Sequence, residues 1–208
     1  MKKAHHFIGV VCLYLISINA NSQTTLDDLT KLLQQTTEAT FKKDYATIIQ
    51  YLDQLPPKEA ISTSQKLIEI AAELPQYKMV FQPIMETGLE AYARRGIKRN
   101  SILYCISLID QPKFKKTEIQ QSLLYNIGSI HYTFKEYSSS KYYLEKYLTL
   151  DSTKTTIRDI SVVTTLGLLY SANKEHSVAK NYFEWAIYKA NKEKNNAWIG
   201  ITHGNLGA

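Results

Sequence analysis

Histidine side chains are the first candidates for metal binding or acid–base chemistry in this sequence, because a neutral imidazole suits both tasks. His5 and His6 lie within the first 22 residues, and His131, His176 and His203 are far apart along the chain. None of the five has a partner at the spacing that metal-binding motifs use. The sequence therefore predicts no metal site.

The other reactive side chains also lack a catalytic pattern. The sequence contains no phosphate-binding G-x-x-x-x-G-K-[ST] loop and no H-E-x-x-H, G-x-S-x-G or C-x-x-C motif. Glu86 and Glu90 are four residues apart, which is typical of a solvated helix face. Cys105 falls in the apolar stretch SILYCISLID, where we expect a small buried side chain. We expect no enzymatic activity and no cofactor.

The first 22 residues read as a signal peptide. Lys2 and Lys3 precede an apolar run over residues 7–18, which is too short to span a membrane comfortably. Small residues over 20–22 predict cleavage before Gln23. The sequence therefore predicts an exported protein, periplasmic or extracellular. An uncleaved segment would act as a membrane anchor, and Cys12 lies inside the apolar run, which makes a poor lipid-attachment site.

The charge of the chain is mildly basic. The formal net charge is +6, and removing residues 1–22 takes away two of the 25 basic residues and none of the 19 acidic ones, which leaves +4. The basic residues form two short clusters that look like solvated loops between helices, so we expect no nucleic-acid partner for this segment. The clusters are Arg94, Arg95, Lys98 and Arg99, and Lys113, Lys115 and Lys116.

The sequence repeats itself at a period of about 40 residues. Glycines recur at Gly88, Gly128, Gly167 and Gly207, each at the same place in a helical pattern. A glycine at a helix crossing lets two backbones approach closely, and aromatic side chains then fill the gaps between neighbouring hairpins. The spacing predicts stacked helical hairpins.

The segment LLYNIGSIHYTFKEYSSSKYYLEKYLTLDS resembles a tetratricopeptide repeat. Its pattern positions are Leu124, Ile127, Gly128, His131, Ser140, Leu144, Tyr147 and Ser152. The next repeat fits better, with Val163, Leu166, Gly167, Tyr170, Ala179, Phe183 and Ala186. His131 stands where the family has tyrosine, Tyr147 where it has alanine, and the final proline is missing from both repeats. The period also exceeds the 34 residues of the basic family motif.

The resemblance implies an all-α fold, a right-handed solenoid of helix-turn-helix hairpins. It divides the chain into a signal segment (1–22), a degenerate helical region (23–80) and repeats over 81–112, 121–152 and 160–191, followed by the truncated repeat 200–208. Capping boxes are expected at Thr25 with Asp28, Thr117 with Gln120 and Thr156 with Asp159. Proline at 56, 57 and 75 should end helices. Because 200–208 reads as an unpaired first helix, we expect these residues to be the N-terminal part of a longer protein.

In tetratricopeptide proteins the first helix of each hairpin lines a concave groove that binds peptides or helices. Carried over position by position, the resemblance implies a groove formed by Tyr92, Tyr125, Ser129, Tyr132, Thr164, Leu168 and Ser171. The packing positions are Gly88, Gly128, Gly167, Ala179, Phe183, Ala186 and Gly207. Tyr125 and Ser129 stand where a clamp for C-terminal carboxylates would need lysine and asparagine, which argues against chaperone-tail binding. The alternative is repeat packing with no specific ligand, as in a spacer or a homodimerisation arm.

The resemblance implies a non-enzymatic scaffold or adaptor that binds a protein or peptide partner outside the cytoplasmic membrane. A second hypothesis treats the chain as the extracytoplasmic sensor of a bacterial signalling protein, with a membrane helix and a histidine kinase or helix-turn-helix DNA-binding region after residue 208. A third, an exported enzyme that carries the repeats as an accessory domain, has no residue here to support it. The sensor requires an apolar run of about 20 residues after the repeats.

Overall fold

The computed structural model describes residues 25–150 and 155–207, and the predicted signal peptide lies outside these ranges. Within them every regular element is helical, and each helix packs chiefly on its neighbours in the chain. The all-α, solenoid-like fold expected from the repeat is confirmed. The helices are α1 Leu26–Gln35, α2 Phe41–Gln54, α3 Pro57–Glu73, α4 Tyr77–Ala93, α5 Lys98–Ile109, α6 Thr117–Thr133, α7 Tyr137–Leu150, α8 Ile157–Ala172, α9 His176–Lys192 and α10 Asn196–Leu206, with a 3-10 turn at Pro112–Phe114.

None of the described helices is long and apolar enough to cross a membrane.

Local sequence signals set most helix ends. Two of the three expected capping boxes are present, at Thr25 with Asp28 and at Thr156 with Asp159. The third is wrong, because α6 already begins at Thr117 and its N-cap is Lys116, whose Nζ donates 2.8 Å to the carbonyl of Ala72 in α3. The prolines at 56, 57 and 75 mark helix boundaries as expected, since Pro56 is the N-cap of α3, Pro57 opens it and residue 75 follows its end, whereas Pro83 lies inside α4.

Four turns between successive helices share one backbone conformation. One residue of each turn is left-handed, with φ between 50° and 70°: Gly96 three residues after α4, and Lys135, Lys174 and Lys194 two residues after α6, α8 and α9. The next residue donates its N–H to the carbonyl five positions earlier, as in the glycine-ended cap of many helices. These bonds run from Ile97 to Tyr92, Glu136 to His131, Glu175 to Tyr170 and Asn195 to Ala190.

Lysine is a poor residue for this conformation, because its Cβ crowds the following carbonyl at a cost of about 1–2 kcal/mol. We expect Lys174→Gly to raise the free energy of unfolding by up to about 1 kcal/mol, after the greater unfolded-state entropy of glycine is subtracted. Gly96→Ala is the matched reverse change. Nothing lies within 4 Å of its added Cβ, so any loss of stability there reports the backbone alone. Denaturant melts of the two variants should shift in opposite directions, and a shared direction would contradict the strain argument.

The glycines lie at close helix crossings. A Cβ on Gly128 would come within 2.6 Å of Leu144 in α7, and one on Gly167 within 2.5 Å of Phe183 in α9. The two hairpins α6–α7 and α8–α9 therefore depend on the missing side chain. Ala179 and Ala186 are buried on either side of Phe183 in α9.

The earlier repeat is arranged differently. The pairing expected over residues 81–112 joins α4 to α5, but Gly88 faces Ile68 at 2.6 Å and Ser64 at 3.3 Å, both in the preceding helix α3. Helix α4 packs most extensively on α3, whereas the shorter α5 packs more on α6 than on α4. Gly207 follows α10, and a Cβ there would approach only carbonyl oxygens of that helix.

Two polar side chains, Gln76 and Lys116, each connect the start of one helix to the end of a helix in the preceding repeat. Gln76 Nε2 donates to the carbonyls of Leu33 and Gln34 at the end of α1, both at 3.1 Å. Lys116, 40 residues later, bonds the end of α3 in the same way. Because these bonds join residues 42 to 44 apart, they hold neighbouring repeats in a fixed register.

Candidate functional site

Helices α4 and α6 run side by side with their N-terminal ends together. Glu118 at the start of α6 accepts a hydrogen bond from Tyr77 Oη at 3.3 Å and pairs with Lys78 Nζ at 2.9 Å, and both partners lie in the first turn of α4. Two cavities follow one another along the line between these helices. We call these two cavities between α4 and α6 the seam groove.

The larger cavity, about 350 Å³, lies between the C-terminal halves of the two helices. Its floor is apolar, because it is formed by the side chains of Leu89 of α4 and Ile130 of α6, which are almost fully buried. Its rim is polar. The cavity is lined by Glu86, Leu89, Glu90 and Ala93 of α4, by Lys98 and Ser101 of α5, and by Tyr125, Asn126, Ser129, Ile130 and Thr133 of α6.

The smaller cavity, about 170 Å³, lies between the N-terminal halves and extends to the start of α8. Arg158 of α8 connects the two. Its guanidinium carbon is 5.3 Å from the centre of the Tyr125 ring, and its Nη1 donates 3.4 Å to Ser122 Oγ. Tyr125 lines the larger cavity, and Ser122 and Arg158 line the smaller one. Arg158 therefore lies between the two cavities and contacts a lining residue of each.

Asn126 is one of the buried polar residues that line the larger cavity. Only 8% of its surface is exposed, and its Nδ2 donates 2.8 Å to the carbonyl of Ser122 in the preceding turn. Its Oδ1 receives no hydrogen bond from the described residues. This oxygen is not among the buried side-chain atoms that lack a partner, so it is open to the cavity, where it can accept an N–H from a bound molecule.

The rim of the larger cavity adds acceptors. Glu86 is exposed and accepts one hydrogen bond, from Gln82 Nε2. Glu90 holds Arg94 through Oε1, at 3.1 Å from Nη2 and 3.3 Å from Nε. The two glutamates thus belong to a solvated helix face, as the sequence predicts. Together with the Ser129 hydroxyl they surround an apolar floor with polar groups, which is the composition of a ligand groove.

Two of the seven predicted groove residues, Tyr125 and Ser129, lie together in this groove. Two others are in the interior, and their assignment to an open surface needs correction. Tyr92 is 7% exposed, accepts 2.6 Å from Gln65 Nε2 and stacks on Tyr104, because α4 turns this face toward α3 and α5. Thr164 is 3% exposed, and its hydroxyl has no hydrogen-bond partner.

The remaining three lie outside the seam groove. Tyr132 is half-buried with its ring 5.8 Å from that of Tyr137, at the start of α7. Leu168 and Ser171 are half-buried on α8. Leu89 and Arg158 line the seam groove but were not predicted from the sequence. Leu89 could have been found because it lies between Glu86 and Glu90 on one helix face, whereas no pattern distinguished Arg158 from other basic residues.

The surroundings of Cys105 and His131 explain their protonation and packing. Cys105 is fully buried, and burial raises its pKa to about 12, so the thiol stays protonated at neutral pH. His131 Nδ1 is 2.6 Å from Glu136 Oε2, and the ring stacks on Tyr143, which fits a packed imidazole with one partner. Burial lowers the pKa of His131, and the charge of Arg99 lowers it further. Among the described residues no group of three metal-ligating side chains could hold an ion.

The chain matches no known protein-family model, and no curated protein is significantly similar to it in sequence. The resemblance to tetratricopeptide repeats therefore stands as a prediction from the motif residues.

Proposed function

We propose that this protein is a non-enzymatic scaffold, built of tetratricopeptide-like hairpins, that holds an extended segment of a partner protein in the seam groove. The observation that carries this proposal is the larger cavity, where an apolar floor of Leu89 and Ile130 lies beside the side-chain carbonyl of Asn126, which accepts no hydrogen bond from the described residues. An extended peptide presents backbone N–H groups and side chains together, so it uses both features.

The length of the groove supports a peptide ligand. The groove residues on α6 run from Glu118 to Thr133. At 1.5 Å per residue this helix face is about 22 Å long. An extended chain rises about 3.3 Å per residue, so about six or seven residues would fill the groove. The predicted signal peptide places the partner outside the cytoplasmic membrane as part of the same proposal.

Blocking the larger cavity tests the proposal. We expect Ser129→Trp to reduce peptide capture at least about tenfold, because the indole would occupy the space between α4 and α6 that a ligand needs. Ser62→Trp, at an exposed position of α3, is the matched control and should leave capture unchanged. The probe is a pooled library of blocked heptapeptides, captured on the immobilised full chain and identified by mass spectrometry.

Circular dichroism and melting temperature should stay within error for both variants, since both positions are open to solvent on one side. Equal capture by wild type and Ser129→Trp would contradict binding in the seam groove. Failure of the wild-type chain to enrich any peptide would contradict the scaffold function itself.

A further inference from the structure

Arg158 lines the seam groove and forms no ion pair with a carboxylate of the described residues, 25–150 and 155–207. Its guanidinium makes two contacts with described residues, the 5.3 Å approach to the Tyr125 ring and the long 3.4 Å bond to Ser122 Oγ. An arginine has five N–H donors arranged as a fork that matches a carboxylate. Most of these donors are unused here, and they lie at the point where the two cavities meet.

The nearby acidic groups are already occupied. Glu118 is held by Lys78 Nζ at 2.9 Å and by Tyr77 Oη. Asp159 is buried, and its oxygens accept from Tyr147 Oη at 2.7 Å and from the backbone N–H of Thr156 at 2.8 Å. No ion pair joins Arg158 to either carboxylate among the described residues.

The tyrosine beneath Arg158 makes the guanidinium a better anchor. Tyr125 is half-buried, and its ring lies under the planar cation, so the side chain is held in place before a ligand arrives. A cation positioned in advance loses less conformational entropy on binding than a free surface arginine does.

We propose that the smaller cavity is an acidic-residue subsite, in which the carboxylate of a glutamate or aspartate in the bound segment pairs with Arg158. The proposal rests on the scaffold function and specifies the partner: an extended segment of about six or seven residues with an acidic side chain toward the N-terminal ends of α4 and α6.

The test compares two blocked heptapeptide libraries that differ only in carrying one glutamate or one glutamine, scanned through every position. We expect the wild-type chain to enrich glutamate peptides about tenfold over their glutamine counterparts at one or two adjacent positions, because a charge-assisted bond replaces a neutral one. The preference should weaken as salt is raised. Arg158→Gln should remove the preference while retaining capture of the glutamine peptides.

Two further variants separate the guanidinium from general charge and from folding. Arg158→Lys keeps the charge without the fork and should retain only part of the preference. Arg95→Gln removes an exposed arginine outside the seam groove and should change nothing. Circular dichroism checks that each variant folds. The ratio of glutamate to glutamine peptides captured by the wild-type chain tests the subsite even if a variant fails to fold.

The outcomes are distinct. Equal capture of glutamate and glutamine peptides, or a preference that survives in Arg158→Gln, overturns the acidic subsite and leaves the scaffold function standing. No capture from either library overturns both. Competition by blocked free glutamate as strong as that by the heptapeptides would make the cavity a small-anion site, and would overturn the assignment to a partner segment.

Discussion

Gly167→Ala should lower the free energy of unfolding by about 2 kcal/mol. The added Cβ would lie 2.5 Å from Cε1 and 2.7 Å from Cδ1 of Phe183, a ring that is 3% exposed and has no room to retreat. Overpacking of this kind costs about 3 kcal/mol at its upper range, and the better helix propensity of alanine returns about 1 kcal/mol. Urea denaturation followed by circular dichroism measures the difference.

Gly200→Ala is the matched control, because Gly200 lies inside α10 with nothing within 4 Å of an added Cβ. We expect it to stabilise the chain by up to about 1 kcal/mol through helix propensity alone.

A second variant tests the partner of the clash. Phe183→Leu should cost less in the Gly167→Ala background than in the wild type, because the smaller side chain relieves the overlap. Additive effects of the two changes would show that the crossing of α8 and α9 does not limit stability.

Asp159→Ala should lower the free energy of unfolding more than Asp28→Ala, which changes the equivalent capping residue of α1. Asp159 is 2% exposed and takes part in the capping box of α8, and it also accepts 2.7 Å from Tyr147 Oη in α7. Loss of the cap costs about 1 kcal/mol. The tyrosine hydroxyl left buried without a partner adds about 1–3 kcal/mol. We therefore expect a total loss of about 2–4 kcal/mol.

Asp28→Ala removes an exposed capping box with no tyrosine attached, so its cost should not exceed about 1 kcal/mol. Tyr147→Phe in the Asp159→Ala background should recover stability, because it removes the orphaned hydroxyl. Denaturant melts of the four proteins form the comparison. Equal losses for Asp28→Ala and Asp159→Ala would mean that the tyrosine bond contributes nothing measurable.

The helices and two of the capping boxes could be predicted from the sequence because they depend on neighbours within one turn. The 40-residue glycine spacing likewise predicted close crossings at Gly128 and Gly167. The partner of Gly88 could not be predicted, because the same spacing fits a crossing with the helix before or after it. That choice depends on Ser64 and Ile68 of α3, which the repeat pattern does not include.

The groove was predicted less well than the fold for a related reason. The position-by-position transfer assumed that every first helix presents the same face, and of the residues it named Tyr125 and Ser129 line the larger cavity. Tyr92 is on a helix that packs on its predecessor, so the same position turns inward. Tyr147, which departs from the family pattern, is explained by a bond to Asp159 that joins α7 to α8.

The side-chain hydrogen bonds between neighbouring repeats affect how the chain folds and how it unfolds under mechanical force. The longest side-chain hydrogen bonds between two described residues span 44 positions, about a fifth of the 208-residue chain. Each layer therefore closes only a short loop, so the entropy of closure is small and assembly should propagate quickly from any formed pair. Pulled from its ends, such a chain should lengthen in a series of separate steps, each of about one 40-residue unit.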